Sequence, residues 1–258
     1  MSLFISSINS GSNGNCYYVG NLTEAVLIDA GISCMETEKR MKQRGLSMKT
    51  VKAIFVSHEH MDHTKGVSTL ANKYRLPVYI SAATAAKGPR LIKHLSRTFT
   101  ANETITVGDL TVTAFSKQHD ACDPHSFIIN GNGITVGVFT DIGMVCNEVI
   151  HFFKQCDAAF LESNYDEDLL ENSSYSAELK NRIRGGQGHL SNGQAMELFM
   201  NHKPAFMTRL VLSHLSGQNN SPQIVQELFN EHAAGTNIVV ASRLEASEVY
   251  CITKKENI

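Results

Sequence analysis

Residues 55–66 have the sequence FVSHEHMDHTKG. It places three histidines, a glutamate and an aspartate within six positions, directly after an apolar run. The zinc-binding helix pattern H-E-x-x-H does not fit, because Asp62 stands where that pattern needs its second histidine. On an extended segment His58 and His60 share a face, since side chains alternate along a strand. Asp62 and His63 then turn toward a second point, so the spacing predicts two metal ions rather than one.

Three further candidate ligands each follow a run of apolar residues farther along the chain. They are His119 in FSKQHDA, Asp141 in VFTDIG and His214 in LVLSHLSG. Chemically active side chains of α/β proteins gather at the carboxyl ends of strands, so we expect these three to meet the loop at 58–63. A single histidine has little weight, whereas three within six residues at the end of an apolar strand are typical of a metal site.

The order H-x-H-x-D-H, a lone histidine, an aspartate after a strand and a C-terminal histidine resembles the metallo-β-lactamase superfamily. That resemblance implies an α/β fold, the four-layer αββα sandwich, over nearly the whole chain. It also implies seven ligands: a first metal held by His58, His60 and His119, a second held by Asp62, His63 and His214, and Asp141 as the bridge. Asp29, in AVLIDAG, would support the site from behind; the alternative is that Asp29 caps the helix after Gly31.

The length and charge of the chain limit its domain number and the ways in which it could bind a partner. The 258 residues suit one large α/β domain, and we expect a single metallo-β-lactamase-like domain over 1–258. The composition, 42% hydrophobic and 19% charged, has enough apolar material for a core. The formal net charge of −2 provides no global basic field, so binding to nucleic acid would need a local patch.

The chain also carries signals about its compartment. The N-terminal MSLFISSINSGSNGNCYYVG lacks the basic start and long apolar run of a signal peptide. No stretch approaches the ~18 apolar residues of a membrane span. The six cysteines form no CxxC pair. We therefore expect a cytoplasmic protein with reduced, mostly buried cysteines, including Cys122 as a small core residue.

Apolar runs, Gly/Asn turns and amphipathic segments predict the secondary structure. We expect strands at 3–8, 16–20, 25–31, 51–57 and 77–81, a strand-rich region over 98–140, strands at 158–163 and 209–213, and two edge strands at the end of the chain. We expect helices over 33–44, 64–74, 143–155 and 166–184, one to about 201 capped by Ser191 or Asn192, and one opened by Ser221 and Pro222. The segment Asn130-Gly131-Asn132-Gly133 predicts a hairpin.

A second pair of residues narrows the chemistry. Glu162 follows the apolar run in AAFLES, and His189 stands just before a helix cap in GGQGHLSN. The pair resembles the E…H-S/T elements of the tRNase Z-like nucleases, in which the histidine lies by the scissile phosphate and the acid orients it; here the serine is displaced by one place. Such an imidazolium would stabilise phosphoryl charge or protonate the leaving oxygen. The alternative is a histidine that caps a turn.

The motifs taken together resemble one group of the superfamily, the WalJ/YycJ group. They are SSINSGSNGNCYYVG, SHEHMDHTKGV, QHDACDPHSF, TDIG, LESNYD, RIRGGQGHLSN and LSHLSGQNN, in order over residues 6–220. Members are cytosolic bacterial proteins regarded as 5′→3′ DNA exonucleases. The chain departs from the group at His125, where a small or apolar residue is more usual; His125 is then either an extra pocket histidine or a buried neutral one.

We therefore predict a dinuclear metal-dependent phosphodiesterase, a 5′→3′ DNA exonuclease in which a metal-bridging hydroxide attacks phosphorus. The predicted catalytic residues are Asp62, Glu162 and His189. The positive charges of two divalent cations exceed the negative charges of two aspartates and a hydroxide by about one. The net charge of the site is therefore near +1, which favours an anionic substrate. The ligand types suit zinc first, with manganese or iron as alternatives. DNA is the expected partner, and the alternative functions are a thioester or lactone hydrolase and an RNA-processing nuclease resembling tRNase Z.

Two further segments have open interpretations. The loop at residues 10–15 has many backbone N–H donors and is either a phosphate cradle or a plain hairpin turn. Lys180, Arg182 and Arg184 precede a glycine-rich stretch, and they either grip a nucleic-acid backbone near His189 or form a solvated helix face.

Overall fold

The structure is a computed structural model that describes residues 2–254. The strands of this part of the chain are β1 (Leu3–Asn9), β2 (Cys16–Gly20), β3 (Ala25–Ile28), β4 (Val51–Phe55), β5 (Val78–Ser81), β6 (Ser96–Phe99), β7 (Thr104–Val107), β8 (Leu110–Ser116), β9 (His125–Gly131), β10 (Ile134–Phe139), β11 (Ala158–Glu162), β12 (Arg209–Ser213), β13 (Asn237–Val240) and β14 (Tyr250–Ile252). The helices are α1 (Cys34–Gln43), α2 (Met61–Thr64), α3 (Val67–Tyr74), α4 (Ala82–Lys87), α5 (Asn147–Phe153), α6 (Glu167–Glu171), α7 (Ala177–Arg184), α8 (Asn192–His202) and α9 (Pro222–Asn230).

The strands form two mixed sheets of seven strands each. The first has the order β14-β1-β2-β3-β4-β5-β6, and the second β13-β12-β11-β10-β9-β8-β7. In the first sheet β3 to β6 are parallel, and in the second β10 to β13 are parallel. Strand β9 is antiparallel to both β8 and β10, so β8 runs parallel to β10. The carboxyl ends of β8, β10, β11 and β12 therefore lie along one edge of the second sheet.

Three apolar clusters fill the spaces between four layers. The first lies between the two sheets and includes Phe55, Phe127 and Phe160. The second packs α5, α8 and α9 on the outer face of the second sheet, and the third packs α1 and α3 on the first sheet. Strands β3 and β11 are buried along their whole length, as continuous apolar runs between two layers require. The predicted αββα sandwich is confirmed.

Most predicted elements are present, and the differences have local causes. The helix expected over 64–74 begins at Val67 instead, because the chain is interrupted between the short helix α2 and α3 at Gly66, whose N–H donates to the carbonyl of Ala30. A Cβ at Gly66 would lie 2.1 Å from the carbonyl oxygen of Ile32, so the chain needs glycine at this close approach. The helix expected over 166–184 is likewise divided, because Ser176 caps a new helix, α7. Ser191 rather than Asn192 caps α8, in a capping box with Gln194.

The cysteines differ in part from the prediction. All six are free thiols, and Cys16, Cys34 and Cys156 are buried. Cys122 and Cys251 are exposed, so the prediction that Cys122 is a core residue was wrong. The segment after His119 leaves the sheet and crosses the surface, where the Cys122 backbone N–H donates to Glu59. None of the helices within residues 2–254 has the length and apolar character needed to cross a membrane.

Candidate metal centre and its cleft

The predicted ligands meet where the carboxyl ends of the two sheets face each other. The loop after β4 carries the histidine-rich segment, β8 leads to His119, β10 to Asp141 and β12 to His214. Asp29, Asp141 and His214 each have a positive φ between 55° and 61° within two residues of the end of a strand. Non-glycine residues adopt this conformation rarely and at an energetic cost, which native structures retain mainly at functional sites. The backbone thus turns sharply to direct these side chains into one site.

The first predicted trio is assembled as expected. His58, His60 and His119 each offer a nitrogen within 4.8 Å of the others. The Nδ1 of His119 donates to the carbonyl of Gly188 at 3.0 Å, which leaves its Nε2 buried without a hydrogen-bond partner. Burial holds the pKa of His58 well below its ordinary value and lowers the pKa of His119 to about 4. Both imidazoles are therefore neutral at pH 7, the form that binds a metal.

The second predicted trio lies beside the first and shares Asp141 with it. Asp62, His63 and His214 have ligand atoms within 4.8 Å of one another. The Nε2 of His63 is 3.2 Å from Asp141 Oδ2, and the Nδ1 of His214 is 3.0 Å from Asp141 Oδ1. The Oδ2 of Asp141 and the Nδ1 of His214 are nevertheless buried without a hydrogen bond, because their directions do not match. Buried ligand atoms that lie this close together without hydrogen bonds fit a divalent metal ion.

The protonation of these residues reflects their close contact. Burial opposes ionisation of Asp141, but the charges of His214 and His63 hold its pKa well below the usual range. Burial also disfavours the charged form of His214, but Asp141 and Glu162 raise its pKa to about 10. In the protein without metal, protons thus balance carboxylate charge that a cation would otherwise balance.

Asp29 supports the site from behind. It is fully buried and accepts hydrogen bonds from the backbone N–H and the hydroxyl of Ser57, both at 2.8 Å, and from His63 Nδ1 at 2.7 Å. The Ser57 hydroxyl accepts in turn from His58 Nδ1 at 2.9 Å. These bonds leave the Nε2 atoms of both histidines for the site. The cap of α1 is Ser33, so the alternative role of Asp29 as a helix cap was wrong.

Asn15 is a site residue that sequence reasoning missed. Its Nδ2 lies 3.0 Å from His63 Nε2 and 3.3 Å from Asp62 Oδ2, while its Oδ1 accepts from Gly11 N–H and the Tyr17 hydroxyl. Its own N–H donates to the carbonyl of Asp62. The N–H of Ser10 donates to Ser242, and those of Gly11 and Gly14 donate within the loop itself. With the Asn15 N–H engaged by Asp62, these bonds do not favour a phosphate cradle at residues 10–15. The only sequence signal was the density of Asn and Gly in this turn.

Glu162 and His189 form a hydrogen-bonded pair at the same edge. Oε1 of Glu162 accepts from His189 Nδ1 at 2.8 Å, and Oε2 accepts from the N–H groups of Ile142 and Leu190 at 2.7 and 3.1 Å. Burial opposes its ionisation, but the neighbouring His189 lowers the pKa of Glu162 to about 2. The pair is also close enough to Asp141 and His214 to share a metal. Because both Glu162 oxygens already accept hydrogen bonds, its better fit is to orient His189.

Lys117 is a second residue that sequence reasoning missed. It is 4% exposed, and its Nζ donates to the carbonyl of Thr140 at 2.6 Å. Burial lowers its pKa, while Asp141 and Asp29 act in the opposite direction. Lys117 stands two positions after the buried Phe115, and the alternation of side chains along β8 would place both on the same face. That alternation was the only signal for it in the sequence.

An open cleft of about 450 Å³ leads to the ligands. Its walls come from both sheets and from the exposed helix α7: Ser12, His60, Met61, Asp62, His119, Asp141, Asn164, Tyr175, Leu179, Arg182, Ile183, His189, His214 and Ser216. His189 is 22% exposed there, and with its Nδ1 bound to Glu162, its Nε2 is left for a substrate. Arg182 pairs with Asp120 at 2.6 Å across the mouth.

The remaining candidate residues lie apart from the cleft. Lys180 donates to the carbonyl of Glu171, and Arg184 pairs with the carboxylate of Glu171 at 2.8 Å. Of the predicted basic cluster, Arg182 alone lines the cleft. His125 is 1% exposed, contacts Phe99 edge-on, and has a pKa lowered by burial. This favours the buried, neutral interpretation of His125.

A four-layer sandwich with imidazole and carboxylate ligands at the strand ends is the arrangement of the metallo-β-lactamases. Residues 24–215 match the family model described as the beta-lactamase superfamily domain, and the chain belongs to that superfamily. It is 34% identical over 230 residues to "Exodeoxyribonuclease YycJ" of Bacillus anthracis, which covers 88% of this chain and 87% of that protein. It is 29% identical over 228 residues to "Exodeoxyribonuclease WalJ" of Streptococcus pneumoniae serotype 2, with coverage of 85% and 84%.

A solved structure agrees on the fold. The metallo-β-lactamase fold protein YhfI from Bacillus subtilis superposes with a TM-score of 0.75 and covers 97% of this chain and 100% of its own. Its sequence identity of 16% supports the fold and nothing finer. The resemblance to the superfamily and to its WalJ/YycJ group, drawn from the sequence motifs, is confirmed.

Proposed function

We propose that this chain is a metal-dependent exodeoxyribonuclease that hydrolyses phosphodiester bonds from the 5′ end of DNA. The observation that carries the proposal is the Glu162–His189 pair, which lies in the same cleft as the clustered ligands. A hydrolase of thioesters or lactones would need the ligands alone. The two relatives named as exodeoxyribonucleases, which align along most of the chain, support the same class of reaction.

Two divalent ions would be held by residues already grouped in space. His58, His60 and His119 would hold one and Asp62, His63 and His214 the other, with Asp141 between them. Such ions supply Lewis-acid chemistry: they stabilise phosphoryl charge and lower the pKa of a coordinated water. Imidazole and carboxylate together suit zinc best, and manganese or iron are alternatives set by availability.

His189 would act on the phosphate or on the leaving oxygen. Glu162 fixes the ring through Nδ1, so Nε2 donates toward the substrate and not toward the protein. The ionised, buried Glu162 stabilises the imidazolium that this donation requires. We assign His189 as the proton donor or charge stabiliser, and Glu162 as the positioning residue. Asp62, at the cleft wall, completes the predicted catalytic set.

The proposal is tested by digesting DNA that carries a 5′-phosphate and a label at either end. Protein reconstituted with zinc or with manganese is compared with Asp141→Ala as the blank. Stepwise loss of mononucleotides from the 5′ end, absent in the blank, is the expected result. Release from the 3′ end would overturn the polarity, and cleavage of the matched RNA strand at an equal rate would overturn the preference for DNA.

Absence of cleavage in protein shown to hold two metals would overturn the nuclease assignment. The same metal-replete sample is therefore also assayed with a thioester and a lactone. Turnover of either, without DNA cleavage, would place the chain among the acyl hydrolases of the superfamily and reduce the Glu162–His189 pair to a structural role.

A further inference from the structure

A second cavity adjoins the cleft and has no part in the chemistry described so far. It measures about 320 Å³ and lies between the carboxyl ends of β12 and β13 and the start of α9. Its apolar walls are formed by Leu215, Pro222, Val240, Ala241 and Leu244. Ser216 lines both this cavity and the cleft, so the two spaces share a wall.

Arg243 stands at that shared wall with its charge unpaired. Its Nη1 donates to the carbonyl of Leu215 at 2.9 Å and to the hydroxyl of Ser12 at 3.3 Å. Within residues 2–254 its Nε and Nη2 make no hydrogen bond, and no carboxylate lies within ion-pair distance of it. Arg182, in contrast, is already paired with Asp120. Arg243 is therefore the guanidinium beside the cleft that lacks an anion.

Two glycines fix the position of this guanidinium. A Cβ added at Gly11 would lie 2.8 Å from Nη1 of Arg243. One added at Gly217 would lie 3.2 Å from Cζ and 3.3 Å from both Nε and Nη2, which places Gly217 over the face of the group. Within residues 2–254 the N–H groups of the Nε–Nη2 edge have no hydrogen-bond partner, and such an edge binds two oxygens of a phosphate at once.

The polar groups of the cavity offer little means of selecting a particular base. The Asn220 side chain is engaged with the carbonyl of Ser163 and the side chain of Asn192. The hydroxyl of Ser242 accepts from the backbone of Leu244 and Glu245. What the cavity presents is apolar surface, including the 84% exposed side chain of Leu244. Such a surface suits the face of any nucleobase and does not distinguish base edges.

We propose that Arg243 and this cavity form a nucleotide subsite. The guanidinium binds the backbone phosphate next to the scissile one, and the cavity takes the base of that nucleotide, unpaired from its complementary strand. The proposal rests on the proposed nuclease function and makes it more specific. The preferred substrate is a single-stranded or frayed DNA end of any sequence, and a blunt duplex is a poorer one.

The test compares Arg243→Gln with Arg97→Gln, a matched change at an exposed arginine on the distant edge strand β6. Substrates are a 5′-phosphorylated single strand, the same strand in a blunt duplex, and bis(4-nitrophenyl) phosphate, which has no neighbouring nucleotide. We expect Arg243→Gln to lower the ratio of kcat/KM for the strand to that for the small diester by about tenfold. The slope of log KM against log salt should fall by about one unit, since one phosphate contact is lost.

Two additional variants separate charge from position. Gly217→Ala keeps the arginine but shifts its guanidinium by a few tenths of an ångström, so it should lower the same ratio by a smaller factor than Arg243→Gln. Leu244→Ala should weaken binding of the normal strand and leave binding unchanged for a strand whose base is absent at the subsite position. Binding of labelled strands by fluorescence anisotropy is measured beside turnover.

The outcomes distinguish this proposal from the nuclease assignment. Equal ratios, salt slopes and dissociation constants in Arg243→Gln and Arg97→Gln would overturn the subsite and leave the nuclease intact. An equal loss on the strand and on the small diester would assign Arg243 a structural role and also overturn it. If the wild type binds the strand through Arg243 but cleaves neither substrate, the subsite is supported and the nuclease assignment fails.

Discussion

His189 and Glu162 share a hydrogen bond of 2.8 Å between Nδ1 and Oε1, and Glu162 is fully buried while His189 faces the cleft. The other oxygen of Glu162 is held by two backbone N–H groups, from Ile142 and Leu190. The carboxylate thus joins the loop after β10, the end of β11 and the segment before α8. In this arrangement Glu162 fixes the imidazole ring of His189, and the predicted ligands are left to bind metal.

Substitution His189→Ala should lower kcat on DNA by about 10² to 10⁴ while metal content stays at the wild-type level, because general acid catalysis typically contributes that factor. Metal content by mass spectrometry and kcat are measured on the same sample. His151→Ala, on the exposed side of α5, is the control and should behave as wild type. Normal turnover in a metal-replete His189→Ala would remove His189 from the mechanism.

Substitution Glu162→Gln should reduce kcat by about tenfold to a hundredfold, since residues that orient an active group commonly have effects of this size. An amide cannot accept on both sides as the carboxylate does, so the tautomer of His189 is no longer fixed. The split between kcat and KM is the decisive readout: kcat should fall while KM and metal content stay at their wild-type values, because only the orientation of His189 is lost. Glu231→Gln, exposed at the end of α9, serves as control; a matching loss of bound metal in Glu162→Gln would indicate a purely structural role.

Substitution Asp29→Asn should weaken metal binding at the His63 side by about tenfold to a hundredfold. The Ser57 N–H binds one carboxylate oxygen of Asp29, and His63 Nδ1 binds the other. The single oxygen of asparagine cannot accept both hydrogen bonds. Competition with a chelator measures the affinity of each metal, and Asp109→Asn at an exposed turn is the matched control. Equal affinities in the two variants would contradict the supporting role of Asp29.

Much of the site could be predicted because its ligands form a recognisable pattern in the sequence. Three histidines within six residues after an apolar strand are typical of a metal site, and His119 and Asp141 each follow an apolar run. The sheet topology brings the ends of these strands together. Glu162 and His189 were predicted from the resemblance to the tRNase Z-like nucleases, and they lie in hydrogen-bond contact. Their roles remain proposals that the variants above test.

The residues that escaped prediction act through long-range contacts with no local signature. Asn15 reaches His63 across 48 positions, and Lys117 contacts Thr140 across 23. Arg243 meets Ser12 across 231 positions. The interruption of the helix at Gly66 escaped prediction for the same reason, because it is caused by the backbone of residues 30–32, which packs against Gly66. A single sequence contains no signal for such pairings.

The stability of the metal-free protein should fall as the pH rises from 6.5 to 9. Asp141 and Glu162 raise the pKa of His214 to about 10 against the opposing effect of burial, so its proton stabilises the fold fully below pH 6.5 and is lost as the pH rises through 10. We expect the free energy of unfolding by urea to drop by about 1 to 3 kcal/mol over this interval. Metal-loaded protein should show a smaller drop, because the cation replaces the proton. A drop of equal size in metal-free His214→Asn would show that another group is responsible.

Gly31 should prove as necessary to the metal loop as the ligands themselves. A Cβ at this position would lie 1.6 Å from the carbonyl oxygen of Asp62, and the Gly31 N–H donates to the carbonyl of Asn15. Substitution Gly31→Ala must push the backbone of the metal loop away, at a cost of about 1 to 3 kcal/mol in stability, as overpacking typically shows. The displacement moves Asp62 and His63 relative to His214, so the affinity for metal should fall together with the unfolding midpoint. Gly186→Ala, where the nearest atom would be Met144 Sδ at 3.7 Å, is the control. A Gly31→Ala protein with wild-type midpoint and metal content would show that the contact between the two loops does not set the geometry of the site.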